Sequence, residues 1–144
     1  MIKKILIAID SSVSARNAAN YAIQLAKLIN AQLEIVYVVK YSPGNIDAGI
    51  FPAQVEAEEK EKATQLINMI KIEHPEVKIR EFEALGRTAT EINKAIHNWQ
   101  ADLLVLGHHT HHFIEKLLNN SVEKMLLKHL KIPVLIIPEN YKSL

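Results

Sequence analysis

The chain has 144 residues, with 17 Lys and Arg against 16 Asp and Glu and a formal charge of +1. That is the length of about one domain, taken as 1–144, and 49% hydrophobic content suffices for an ordinary core. The charge balance leaves no footprint for nucleic acid or an anionic membrane, and the lack of Cys excludes a disulfide framework or a thiolate metal site.

Lys3-Lys4 followed by apolar residues imitates the start of a signal peptide, but the run Ile5–Ile9 stops at Asp10. A signal core needs about 7–15 apolar residues and a membrane span about 20, so a soluble, cytoplasmic protein is expected. Ile5–Ile9 is instead the first of five apolar runs, continued by Leu33–Val39, Val77–Ala84, Leu103–Leu106 and Ile132–Ile137. Four of these are nearly continuous Ile, Val and Leu, as parallel strands buried on both faces should be. The third alternates, with Val77, Ile79 and Phe82 set against Lys78, Arg80, Glu81 and Glu83, and suits a sheet edge.

Between the runs the apolar period becomes helical. Ala15, Ala18, Ala19, Ala22, Ala26 and Ile29 form one stripe, small enough for its helix to lie close to a sheet. Ala63, Leu66, Ile67 and Ile70 form a second, Ala89, Ile92, Ile96 and Trp99 a third, and Val122, Met125, Leu126 and His129 a fourth. Ser11 or Ser12 is placed to cap the first helix, and Thr88 with Glu91 to form a capping box on the third. The resulting βαβαβαβαβ order predicts an α/β domain with a mainly parallel sheet, helices on both faces and right-handed crossovers. Residues 40–52, with Pro43, Gly44, Gly49 and Pro52, make the longest irregular stretch and a candidate lid or partner-binding loop.

Ligands of open α/β sheets bind beyond the carboxyl ends of the strands. Asp10, Val38, Gly86 and Gly107 should all gather at that rim. Asp10 suits either a ribose contact or an N-cap. Gly107-His108-His109-Thr110 follows a strand and precedes a helix, the place where such folds hold phosphate.

Three blocks in order resemble the universal stress protein family: Ile5-Leu6-Ile7-Ala8-Ile9-Asp10-Ser11-Ser12, Asp102-Leu103-Leu104-Val105-Leu106-Gly107, and Ile132-Pro133-Val134-Leu135-Ile136-Ile137-Pro138. The resemblance spans the chain. It implies an open five-stranded parallel sheet of order 3-2-1-4-5, Rossmann-like and of the adenine nucleotide alpha hydrolase-like kind, in homodimers acting in cytoplasmic stress responses. ATP-binding members carry Gly-x-x-Gly, nine residues, then Gly-Ser or Gly-Thr. Here Gly107 and Ser121 keep the spacing, while Thr110 and Asn120 replace the second and third Gly. A β-branched Thr is a poor substitute where φ must be positive; Asn tolerates that region better. A nucleotide would be held by Asp10, Val38, Gly107, His108, His109, Thr110, Asn120, Ser121 and Val122. Gly107-His108-His109 with Phe113, Lys116 and Leu117 resembles the universal stress protein A subfamily, which lacks ATP binding. ATP is thus the candidate cofactor, with none required.

Two other readings attach to the same segment. His108, His109, His111 and His112, with His97 and His129 elsewhere, raise a metal-responsive module as an alternative, though no carboxylate lies in the cluster to complete a site. A nucleotide switch with slow hydrolysis is the other. No catalytic residues are assigned, because no Ser or Thr stands in a recognisable base-and-orienter arrangement; Ser121 near His108 or His109 only imitates a dyad. Finally, Val134, Leu135, Ile136 and Ile137 are apolar on both faces. At a sheet edge they would pair with a symmetry mate, giving a homodimer through strand five; other protein partners are expected without being identified by the sequence.

Overall fold

The computed structural model describes residues 1–9, 13–39, 46–107 and 128–142. Five strands form one sheet: β1 (Lys4–Ile9), β2 (Gln32–Val39), β3 (Ile79–Leu85), β4 (Leu103–Gly107) and β5 (Val134–Ile137). Their spatial order is β3-β2-β1-β4-β5, and every pairing is parallel, with Ile7 beside both Ile35 and Val105 at the centre. Three helices join them among the described residues, α1 (Val13–Ile29), α2 (Pro52–Glu73) and α3 (Thr88–Trp99), and Ile46–Ala48 form a 3-10 turn ahead of α2.

The two-residue period of the strands sorts their side chains into two cores. Ile5, Ile7, Ile9, Leu33, Ile35, Tyr37, Leu103 and Val105 face α1 and α2. Leu6, Val36, Leu104 and Leu106 face Ile92, Ala95, Ile96 and Trp99 of α3. Both faces are therefore covered, which is why β1, β2 and β4 are largely apolar without alternation, with Glu34 of β2 as a buried exception. On α1 the predicted Ala stripe is buried from Ala15 to Ala26, but Ile29 at the helix end is 39% exposed. Ile23, four residues after Ala19, is fully buried and continues the stripe.

Three further expectations need correction. The third strand starts at Ile79, because the amide of Val77 donates to the carbonyl of His74 in a turn. Phe82, at odd separation from Ile79, falls on the opposite face of the edge strand and is 42% exposed. At α3 the N-cap is Arg87, whose φ of −81° and ψ of 127° are extended, and it makes no side-chain cap bond. Thr88 is already inside the helix, and its buried Oγ1 has no partner among the described residues. The Ser11 or Ser12 cap and residues 122–126 of the fourth stripe lie outside the described residues.

The amino ends of the central strands are clasped by one carboxylate. Asp102 Oδ2 accepts from the amides of Lys3 at 2.8 Å and Lys4 at 2.9 Å, and the Asp102 amide donates to the carbonyl of Lys4. Those donors hold its carboxyl below the ordinary value, the Lys3 amide foremost. Beside it, Lys4 Nζ donates to the carbonyl of Trp99 at 3.1 Å and lies 5.7 Å from the centre of the indole ring. No helix among the described residues is long and apolar enough to cross a membrane.

Candidate functional site at the carboxyl rim of the sheet

The chain reverses direction across the sheet between β1 and β4: β2 and β3 lie on one side of β1, β4 and β5 on the other. That is the switch point, where open α/β sheets leave a crevice beyond the strand ends. Ala8 pairs with Leu106, so β1 and β4 finish level with each other. The chain continues from these two ends into Asp10 and His108. Gly107 closes β4 beside Ile137, and Val38, near the end of β2, packs against the α3 core.

Of the sequence-predicted nucleotide residues, Val38 and Gly107 thus stand near the rim, on strands that flank β1. Asp10, His108, His109, Thr110, Asn120, Ser121 and Val122 lie outside the described residues, as do His111 and His112. No group of three or more His, Asp or Glu suited to a metal occurs among the described residues. Gly86 follows β3 at the same rim; its φ of +153° is one that side-chain-bearing residues rarely adopt. Its amide donates to the carbonyl of Val39, tying the ends of β2 and β3 together.

The four apolar residues of β5 do not share one environment. Val134 packs against the α3 core and Leu135 against the α1 core. Ile137 is 3% exposed, whereas Ile136 is 39% exposed. β5 is the outermost strand, paired only with β4 among the described strands. The chain after it turns onto α1: Asn17 Nδ2 donates to the carbonyl of Glu139 at 2.9 Å, and Tyr141 meets Tyr21 edge-to-face with ring centres 5.2 Å apart.

Sequence reasoning missed three features. A cleft of about 360 Å³ lies between α2 and the ends of β2 and β3, floored by Val39, Ala53, Ala57 and Leu85; the Ala53–Ala57 spacing was its only local sign. Glu34 is buried, with Oε2 3.3 Å from Nε of Arg80. Burial raises its carboxyl above the ordinary value, against the lowering pull of Arg80 and Lys4. A carboxylate inside Leu33-Glu34-Ile35-Val36 was the available signal. Lastly, His97, noticed only as an extra imidazole, and His129, also placed on the fourth helical stripe, line one groove along α3.

Comparison with known proteins gives this geometry a family. The model of the universal stress protein family matches residues 1–138. A universal stress protein of Methanocaldococcus jannaschii is 31% identical across 99% of this chain and 86% of its own, and a universal stress protein A homolog of Coxiella burnetii is 28% identical across 86% and 88%. A solved universal stress protein family structure from Burkholderia pseudomallei is 26% identical, with a TM-score of 0.70 over 95% of this chain and 96% of that one. Another, solved in complex with cAMP, shares the fold at 24% identity and a TM-score of 0.61 over 96% and 98%. With the 3-2-1-4-5 parallel sheet in place and the family match running nearly end to end, the chain belongs to the universal stress protein family.

Proposed function

We propose that this protein is a non-catalytic, homodimeric regulatory module of the stress response, of the universal stress protein A type, and that its switch-point crevice binds ATP weakly or not at all. The observation that carries the reading is the β5 edge: an apolar outermost strand paired on one side only among the described strands, with Ile136 39% exposed. An unpaired apolar edge of this kind is a template for a second copy. Thr110 and Asn120, standing where a phosphate loop needs glycines, support the weak-nucleotide half.

Light scattering tests the dimer. The wild type should have the mass of two chains and Ile136→Asp that of one; a monomeric wild type, or a variant that stays dimeric, overturns pairing through β5. Thermal melting with about 5 mM Mg-ATP tests the nucleotide half. A ligand at a hundred times its Kd adds about 2.7 kcal/mol, worth roughly 5–10 °C in a chain of this size. The wild type should move by no more than about 1 °C on that scale, and Thr110→Gly with Asn120→Gly should move further. A large wild-type shift would replace this reading with a second one, an ATP-binding switch with slow hydrolysis. That second reading draws support from the switch-point crevice and from the cAMP complex of a protein with the same fold.

A further inference from the structure

Glu34 is the only charged residue buried among the described residues. It sits on β2 in register with Leu6 of β1 on one side and Arg80 of β3 on the other. Its face of the sheet is the one that packs on α3 through Leu6, Val36 and Trp99. β1, β2, β3 and α3 all lie wholly within the described residues. The Glu34 carboxylate meets Arg80, Oε2 to Nε at 3.3 Å, and the Arg80 side chain is 62% exposed. One partner of the pair thus belongs to the core and the other to the solvent flank of the edge strand. The second cation acting on Glu34 is Lys4 of β1, whose Nζ is already engaged by the carbonyl of Trp99 and by its indole ring. α3 contributes Ile92, Ala95, Ile96 and Trp99 to this core, none of which titrates. The Asp102 carboxylate at the foot of β4 is taken up by the amides of Lys3 and Lys4.

We propose that Glu34 is a proton switch built into the sheet: ionised, it holds the Arg80 guanidinium against the edge of the core, and protonated, it stays buried as a neutral acid and releases Arg80 to solvent. A guanidinium has donors and no acceptor, so it cannot receive the new O–H. Protonation therefore turns a charge-assisted bond into a weaker one to a neutral oxygen. The neutral acid is far less costly than the ion to keep beside Leu6 and Val36, both fully buried. Arg80 is already largely hydrated, so parting from Glu34 costs its guanidinium little. Burial lifts the Glu34 carboxyl more than Arg80 and Lys4 pull it down, which sets the change above the ordinary 4.5. A raised folded-state value means that the fold favours the protonated form, so the released state gains as pH falls. Phe82, exposed two residues along β3 on the same face, is the surface neighbour of the freed group. Acid thus gives this flank of the edge strand a mobile cation beside an aromatic ring. The switch uses neither the crevice nor β5, so it stands apart from both halves of the proposed function.

The chain has three arginines, Arg16, Arg80 and Arg87, so their Nε–H resonances can be followed one by one by NMR on the labelled full chain. Arg80 is identified by the signal lost in Arg80→Lys. The Glu34 carboxyl, read by its carbon shift, should titrate with a midpoint above 4.5, and the Arg80 Nε–H should move with the same midpoint. Below that midpoint the Arg80 Nε–H should exchange with water at least about fivefold faster, as the charge-assisted bond is lost. In Glu34→Gln the Arg80 signal should hold the acid position at every pH. A Glu34 midpoint at or below 4.5, or an Arg80 signal that stays put while Glu34 titrates, overturns the proposal. So does a pH dependence of Arg80 that survives in Glu34→Gln. The first two outcomes are read on the wild type alone, and a circular dichroism melt ensures that the third is read on folded protein.

Discussion

Replacing Glu34 by Gln separates two effects that oppose each other in the core. The Glu34 side chain is 7% exposed, while its partner Arg80, 3.3 Å away, is 62% exposed. At that distance the attraction is worth roughly 5 kcal/mol at an effective dielectric near 20 and about 1 kcal/mol in bulk water. The solvated guanidinium pulls the figure toward the lower end. Against it stands the desolvation of a carboxylate, several kcal/mol in a protein interior. Burial, which moves this carboxyl upward, outranks the lowering pull of Arg80 and Lys4. The sign follows from that direction. A raised folded-state value means that Glu34 favours the fold while protonated, below its ordinary 4.5, and that this advantage is lost as pH rises through the higher value. Gln is nearly isosteric and carries no charge to desolvate. At pH 8 the variant should therefore be as stable as the wild type, or up to about 2 kcal/mol more stable. Its relative advantage should shrink as pH falls through the raised value. Urea unfolding followed by circular dichroism between pH 4 and pH 9 measures the difference directly. A variant less stable by more than about 1 kcal/mol at pH 8, with the gap widening at higher pH, would show that the ion pair outweighs its burial and refute the reasoning.

Asp102 carries the opposite sign. Because its carboxyl is lowered by the Lys3 and Lys4 amides, its contribution is present above its ordinary 3.8 and is lost on acidification below it. Asp102→Asn should cost about 1 kcal/mol at pH 7, a deficit that closes in acid unfolding curves as pH drops below that value; a deficit unchanged at low pH would sink the assignment. Ala22→Leu tests the seat of α1, since Ala22 is fully buried. Overpacking should cost roughly 1–3 kcal/mol, and an unchanged denaturant midpoint would mean that α1 has slack beneath it. Gly86→Ala places a Cβ 3.2 Å from Glu91 Oε1 at a φ of +153°. The contacting atom ends a flexible side chain, so the loss should be about 1–2 kcal/mol and mostly backbone strain. A melting temperature equal to wild type would contradict that strain.

Much of the fold could be read locally, because β1, β2 and β4 are buried on both faces and are apolar at nearly every inner position, Glu34 of β2 being the exception. The α3 stripe was legible for the related reason that Ala89, Ile92, Ile96 and Trp99 are all buried, the last three in one core. Strand order was not readable from periodicity and came through resemblance. Phe82 misled because an aromatic residue in an edge strand can serve a face that nothing fully covers. Thr88 misled because the choice between Arg87 and Thr88 as cap is made by one ψ angle, which composition does not record. The α3 groove was illegible for another reason. Arg87, Lys94 and Lys131 are ordinary surface residues in sequence and become a patch only when the chain near residue 130 returns to α3. At the rim, the sequence marked Val38 and Gly107 correctly as residues near strand ends, because each closes or nearly closes an apolar run.

The two edges of the sheet are built in opposite ways. β3 presents Arg80, Glu81 and Glu83, and α2 is moored to it by Lys71 on Glu81 at 3.1 Å and by Thr64 Oγ1 on Glu83 at 2.9 Å. β5 has neither charges nor a moored helix among the described residues. Strand addition through β5, as proposed above, would therefore terminate itself. Once two copies join there, only β3 edges face outward, each carrying charges and a helix that obstruct a third chain. A head-to-tail fibre would need β3 to accept β5, and the chemistry of β3 refuses it. For the pairing proposed above, the asymmetry would limit assembly to a closed pair, a safeguard that matters most when a protein accumulates to high concentration.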